Sequence, residues 1–66
     1  MNQISSEIFV RISSVKSQIE DLQTTLQQIY GDMPPSMISS FGTEITDSIE
    51  TLEITWESLE TAQKCL

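Results

Sequence analysis

Apolar residues in the first half of the chain recur at alternating steps of four and three residues. This spacing is that of a heptad repeat, in which positions a and d are apolar, and it continues unbroken over three repeats. A stripe this narrow does not suit a helix buried on all sides, but it suits one helix that lies along another. The sequence therefore predicts a long first helix with a single seam, formed by Ile8, Ile12, Val15, Ile19, Leu22, Leu26 and Ile29.

A second apolar series follows a break that contains two prolines. We expect Gly31 to end the first helix in the left-handed conformation, which glycine adopts without cost. Pro34 and Pro35 cannot continue that helix, although Pro35 suits the first turn of the next one. Residues 1–66 are therefore predicted to form one all-α domain, with a helix at 3–30, a turn at 31–35 and a helix at 36–64.

So short a turn requires the two helices to run antiparallel, as a hairpin similar to a coiled coil. If the turn is centred between Met33 and Pro34, the numbers of facing residues sum to about 67. The apolar positions of the expected second seam are Ile38, Phe41, Ile45, Ile49, Leu52, Trp56, Leu59 and Leu66.

Near Gly42 the steps of the second seam change to four and four, which leaves two alternatives. One is a bend within one continuous helix, which we favour. The other is a short helical turn followed by a second helix start that Thr43 would cap.

Sixty-six residues bury only a modest core, and chains of this length usually need a disulfide, a metal or a partner to be stable. Cys65 is the only cysteine and the sequence has no histidine, which excludes an internal disulfide and a zinc site. Since each helix buries only one stripe, we expect the hairpin to be completed by a partner protein or by dimerisation.

The formal net charge is −7, with ten carboxylates against three basic side chains. This charge repels nucleic acid and anionic membranes, and no apolar run is long enough for a membrane span. We therefore expect a cytoplasmic protein with no nucleic-acid, membrane or small-molecule partner. The sequence also lacks a glycine-rich phosphate loop and a candidate catalytic pair, so we expect no enzymatic activity and no cofactor.

Three apolar residues fall outside the predicted seam: Phe9 at heptad position e, and Val10 and Ile54 at position f. The antiparallel pairing places them at similar heights near the open end of the hairpin, with Trp56 at a boundary. Scattered apolar residues are normal on protein surfaces. On a chain this short of core, however, the cluster predicts a site where a partner protein docks, with aromatic residues as anchors.

Four glutamates of the second helix, Glu50, Glu53, Glu57 and Glu60, are spaced by three, four and three residues along one flank. The flank is either a solvated face or a stripe that steers a basic partner into place. Carboxylate-bridged metal sites in helical bundles use inward-pointing glutamates together with histidines. These glutamates flank the seam and no histidine is present, so we expect no metal site.

The chain resembles the small co-chaperones of type III secretion needle subunits in size, acidic balance and two-helix organisation. The similar residues are Met1-x-Gln3-Ile4 and the stretch from Leu22 through Leu26 and Ile29 to Asp32-Met33. Pro34-Pro35 and Trp56 depart from the family's pattern. The resemblance implies a cytoplasmic virulence factor that pairs with a helical-repeat chaperone, so that together they keep the needle subunit from polymerising early.

The function expected from the sequence is therefore that of a non-catalytic, protein-binding subunit. Phe9, Val10, Ile54 and Trp56 would dock the partner, and the Glu50–Glu60 flank would steer it. The alternative is a homodimeric four-helix bundle that serves as a scaffold in a larger assembly. The sequence does not identify the partner, the stoichiometry or a role for Cys65.

Overall fold

The computed structural model describes residues 3–66, and Met1 and Asn2, which include the first residue of the stated resemblance, lie outside the described residues. The described chain forms two helices, α1 (Gln3–Asp32) and α2 (Pro35–Lys64). They pack side by side in a hairpin whose Cα atoms extend over 53 × 15 × 10 Å. The predicted all-α helical hairpin is confirmed.

The turn between the helices is shorter than predicted. α1 continues to Asp32, and neither glycine of the chain has a positive φ, so the prediction that Gly31 ends the helix in the left-handed conformation is wrong. The amide of Met33 donates to the carbonyl of Tyr30 at 3.2 Å and closes the last turn of α1. Pro34 is extended, and Pro35 occupies the first turn of α2 as predicted, because no hydrogen-bond donor is needed there.

α2 is kinked at Phe41, whose φ of −149° and ψ of 18° are not helical, so two helical segments meet there. This geometry combines features of both alternatives, a bend in a long helix and a second helical segment after a short first one. Phe41 is 40% exposed, so its predicted place in the seam is wrong. Gly42 takes that place and is buried against the ring of Tyr30, and a Cβ there would crowd Ile38 Cγ2 of the same helix at 3.0 Å.

Many serine and threonine hydroxyls donate to a backbone carbonyl three or four residues earlier in the same helix. These bonds satisfy polar groups that would otherwise compete with helix formation, and bonds of this kind often bend helices. They involve Thr24, Thr25, Ser40, Thr46, Ser48, Thr55 and Thr61.

The contacts between α1 and α2 repeat every seven residues. Gln63 Nε2 donates to the carbonyl of Phe9 at 3.0 Å, and Gln23 Nε2 donates to the carbonyl of Ile49 at 3.2 Å. Between these two pairs, Lys16 Nζ lies 4.3 Å from the centre of the Trp56 ring.

Residue numbers in these pairs sum to 72, about five more than expected from the turn. Helical side chains tilt towards the N-terminus of their own helix, so the residue that covers a given height has its Cα atom slightly further along the chain. In an antiparallel pair this raises the residue number on both helices, which accounts for part of the difference. The same sum holds at the closed end of the hairpin, where Tyr30 lies against Gly42.

Candidate protein-docking face

The side of α1 that packs against α2 is not the predicted side formed by positions a and d. Its buried and half-buried residues include the predicted a residues, namely Ile12, Ile19 and Leu26. The other residues that α1 directs towards α2 include none at position d: Lys16, Gln23 and Tyr30 occupy position e, and Ser13, which bonds Gln63, occupies position b. Ile19 is the only buried large apolar side chain among the described residues, at 5% exposure.

The predicted d residues of α1 are consequently exposed to solvent. Ile8 is 38% exposed, Val15 45%, Leu22 53% and Ile29 44%, so the prediction that α2 buries them in a seam is wrong, although Ile8 and Val15 still border Leu59 of α2. They follow one another at intervals of seven residues, which places them in one line along almost the whole helix. With 100° per residue, these side chains are rotated about the axis of α1 by roughly 40–100° from the direction that points towards α2.

The d residues of α2 lie on the same side of the hairpin. Leu59 lines a groove of about 250 Å³ together with Ile8, Ile12 and Val15 of α1. Leu59 and the other d residues of α2 are half-buried. We call the d residues of both helices the apolar face: Ile8, Val15, Leu22 and Ile29 of α1 with Ile45, Leu52 and Leu59 of α2.

The opposite side of the hairpin is polar and acidic. A cavity of about 350 Å³ there is lined by the carboxylates of Glu20, Glu53 and Glu57, next to Trp56. The amides of two glutamine side chains also line it. We call Glu20, Glu53 and Glu57 the acidic face. The hairpin therefore carries the apolar face on one broad side and the acidic face on the other.

A cluster of polar side chains joins the helices at the open end of the hairpin. Gln63 is only 7% exposed, and its Nε2 donates to Ser13 Oγ at 2.7 Å as well as to the carbonyl of Phe9 at 3.0 Å. Its Oε1 accepts a hydrogen bond of 2.9 Å from Lys16 Nζ. Each half of the Gln63 amide therefore has a partner on α1, as a buried polar group requires.

Trp56 lies between this cluster and the acidic face. The ammonium of Lys16 is 4.3 Å from the centre of its ring, a distance at which a cation is attracted to the π-face. Trp56 Nε1 is buried and has no hydrogen-bond partner in the described part of the chain. An unpaired buried N–H costs about 1–3 kcal/mol, and burial of the apolar part of the Trp56 ring has to offset this cost.

The residues predicted to dock a partner do not form one patch. Val10 is 65% exposed and lies on the side of α1 that points away from α2. Ile54 is 57% exposed and lies on the outer side of α2, so the two residues point away from each other. Phe9 is 38% exposed and its carbonyl joins the polar cluster, while Trp56 is half-buried against Lys16.

Of the four glutamates predicted to steer a partner, the structure brings Glu53 and Glu57 together at the cavity beside Trp56. Glu50 is exposed, and Glu60 is half-buried.

Sequence reasoning missed Gln63 and Lys16, because a polar residue adds nothing to an apolar periodicity. One indication was present for Gln63, which continues the series of Gly42, Ile49 and Trp56 at intervals of seven. The d residues of the first helix were identified as apolar and periodic, but they were assigned to the wrong neighbour.

Comparison with protein-family models, with curated proteins and with solved structures finds no match to this chain. Neither helix of the described residues has the length and apolar character needed to cross a membrane. Within residues 3–66, no group of three or more His, Cys, Asp or Glu side chains is arranged to hold a metal ion.

Proposed function

We propose that this chain is a non-catalytic, protein-binding subunit whose apolar face is covered by a pair of helices from another protein. The observation that carries the proposal is the exposed line of Ile8, Val15, Leu22 and Ile29, which are 38–53% exposed. Exposed apolar patches of this extent mark interaction sites on soluble proteins.

The direction of the apolar face favours a helical partner. In a four-helix bundle with a square cross-section, each helix has one neighbour in its own layer and one in the opposite layer, so its apolar stripe points about 45° away from the direction of either neighbour. The d residues of α1 deviate by roughly 40–100° from the direction of α2, which turns the a/d stripe of α1 part of the way towards a second layer. Leu59 of α2 borders the same groove as Ile8 and Val15, so the d residues of both helices lie on the same side. A second layer of two helices is the partner that this geometry accommodates.

The more specific form of the proposal comes from the sequence resemblance to secretion co-chaperones. In this form the partner is a cytoplasmic helical-repeat chaperone, and the two proteins together hold a needle subunit unpolymerised. The acidic face would remain in solvent and favour the approach of a basic partner surface. Phe9, Val10 and Ile54 would then be secondary contacts, since they point away from the apolar face.

The proposal is tested by site-specific photo-crosslinking in the cells that express the protein. A benzophenone amino acid replaces Leu22 in one variant and Val10 in another, because both residues are exposed but only Leu22 belongs to the apolar face. We expect the probe at position 22 to form an adduct with a different, helical protein, identified by mass spectrometry, and the probe at position 10 to form much less.

Failure of position 22 to form an adduct with a different protein, including the case in which it crosslinks only to a second copy of this chain, would refute the proposed function. An adduct with a protein unrelated to secretion would preserve the binding role and refute the co-chaperone form.

A further inference from the structure

We propose that, in the absence of its partner, the apolar face is covered by a second copy of this chain, so that the free protein is a two-fold symmetric dimer of hairpins. The inference rests on the docking face of the proposed function, but it does not depend on the identity of the heteromeric partner. Binding of the partner protein would then displace one copy of this chain from the dimer.

The size of the broad face fits a dimer. The Cα atoms of the hairpin span 53 × 15 Å in the plane that contains both helices, an area of roughly 800 Å². Each partner in a stable interface of standard size buries about 800 Å². A second hairpin of the same length covers the whole line from Ile8 to Ile29, whereas a shorter partner leaves part of it in water.

The chemistry of the face permits self-pairing. A two-fold interface brings the same patch of both copies together, so the patch must be complementary to itself. Aliphatic side chains meet this requirement without any matching of charges. Arg11, beside the groove of Ile8, Val15 and Leu59, is the cation at its rim.

The charge of −7 per chain opposes this association only weakly where the carboxylates point away from the interface, and Asp21, which lines a groove with Leu22, is the carboxylate that borders the apolar face there. The glutamates of the acidic face lie on the opposite side of the hairpin and point outwards in the dimer. Packed helices are 8–10 Å apart, so the two acidic faces are separated by about 20 Å, well beyond the Debye length of about 8 Å at physiological ionic strength.

Self-association also removes the main weakness of the single hairpin. One buried large apolar side chain, Ile19, is a small core for the described residues. Pairing two apolar faces adds the d residues of both copies to the core, with a residues such as Ile12 at the boundary of the two layers. The a/d pattern is then buried as a heptad repeat predicts.

The test is sedimentation equilibrium of the purified full chain between about 1 and 200 µM, since dimers of this interface size dissociate in the micromolar range or below. Two variants carry the same change in charge: Leu22→Lys on the apolar face and Val10→Lys on the outer side of α1. We expect the unmodified chain and Val10→Lys to have twice the chain mass of 7.4 kDa. Leu22→Lys is expected to weaken the dimer about 100-fold or more, because the interface would bury two unpaired ammonium groups.

Leu22→Ala provides a second measurement if Leu22→Lys fails to fold, with a smaller loss of affinity, about 10-fold, from the lost apolar area. A monomer at every concentration would overturn the inference and leave the proposed binding to another protein intact. A dimer that Val10→Lys weakens and Leu22→Lys does not would also overturn it, because the copies would then meet through the outer side of α1.

Discussion

Replacing Gly42 with alanine separates the close packing at the kink of α2 from ordinary helix propensity. A Cβ atom at this position would lie 3.0 Å from Ile38 Cγ2 and 3.4 Å from Tyr30 Cε2. The contact with Tyr30 is an ordinary van der Waals contact, whereas the one with Ile38 is too short and requires that side chain to shift by a few tenths of an ångström. Gly31 is the matched control, because it is also helical and a Cβ there would meet no atom within 4 Å.

The expected magnitudes differ for the two glycines. Alanine is favoured over glycine inside a helix by about 1 kcal/mol, so Gly31→Ala should raise the free energy of unfolding by about 0.5–1 kcal/mol near the end of α1. At position 42 the same gain is opposed by crowding, which costs about 1–3 kcal/mol in a packed interface. Gly42→Ala should therefore lower the free energy of unfolding, by about 1 kcal/mol.

Thermal unfolding followed by circular dichroism at one fixed protein concentration measures both variants. For a domain of this size a change of 1 kcal/mol shifts Tm by about 4–8 °C, so the two variants should differ by at least about 5 °C, with opposite signs. Equal increases in Tm would refute the close packing of Gly42 against Ile38 at the kink of α2. Equal decreases would show that neither glycine lies within a helix.

Two further predictions concern the polar cluster. Gln63→Ala should lower the free energy of unfolding by about 1–3 kcal/mol, because it removes the buried amide that bonds three groups of α1, whereas exposed Gln18→Ala should change it by less than about 0.5 kcal/mol. Urea unfolding measures both, and similar small effects would contradict the bonds of Gln63. Lys16→Ala should lower the free energy of unfolding by about 1 kcal/mol through loss of its contact with Trp56 and its bond to Gln63, while Lys64→Ala should have little effect. Fluorescence of the single tryptophan follows this unfolding, and an unchanged emission spectrum in folded Lys16→Ala would contradict the contact.

The positions of the helices could be predicted from the sequence, since they depend on local chemistry. Two adjacent prolines exclude a helix across the turn whatever the rest of the chain does. The end of α1 was less predictable, because glycine permits the left-handed conformation but does not require it. Only Met33 and Pro34 connect the two helices, because α1 continues through Gly31 to Asp32 before the chain turns into α2.

The register of the two helices was harder to predict because it depends on particular side chains. Long polar groups reach further than aliphatic ones, and Gln23 and Gln63 bond backbone carbonyls of the opposite helix. An apolar periodicity contains no information about such bonds. The bend at Phe41 rotates the first turns of α2 relative to the rest of the helix. As a result Gly42, and not Phe41 as predicted, contacts α1.

The misassigned seam has a general physical cause. A heptad pattern identifies which side chains of a helix avoid water, but it does not indicate whether one neighbouring helix or two cover them. In a pair of helices, the a and d positions can both face the single partner; in a bundle, they point between two neighbours. Here α1 directs Ile12 and Ile19 towards α2 together with Lys16 and Gln23, which leaves Leu22 and its equivalents uncovered. Burying Leu22 against α2 would require a rotation of α1 by roughly 80°, which would expose Lys16 and break its bond to Gln63. The bonds of Lys16 and Gln23 hold the helix in the observed orientation, so the side chains that a heptad pattern marks as apolar stay exposed on one face of the hairpin.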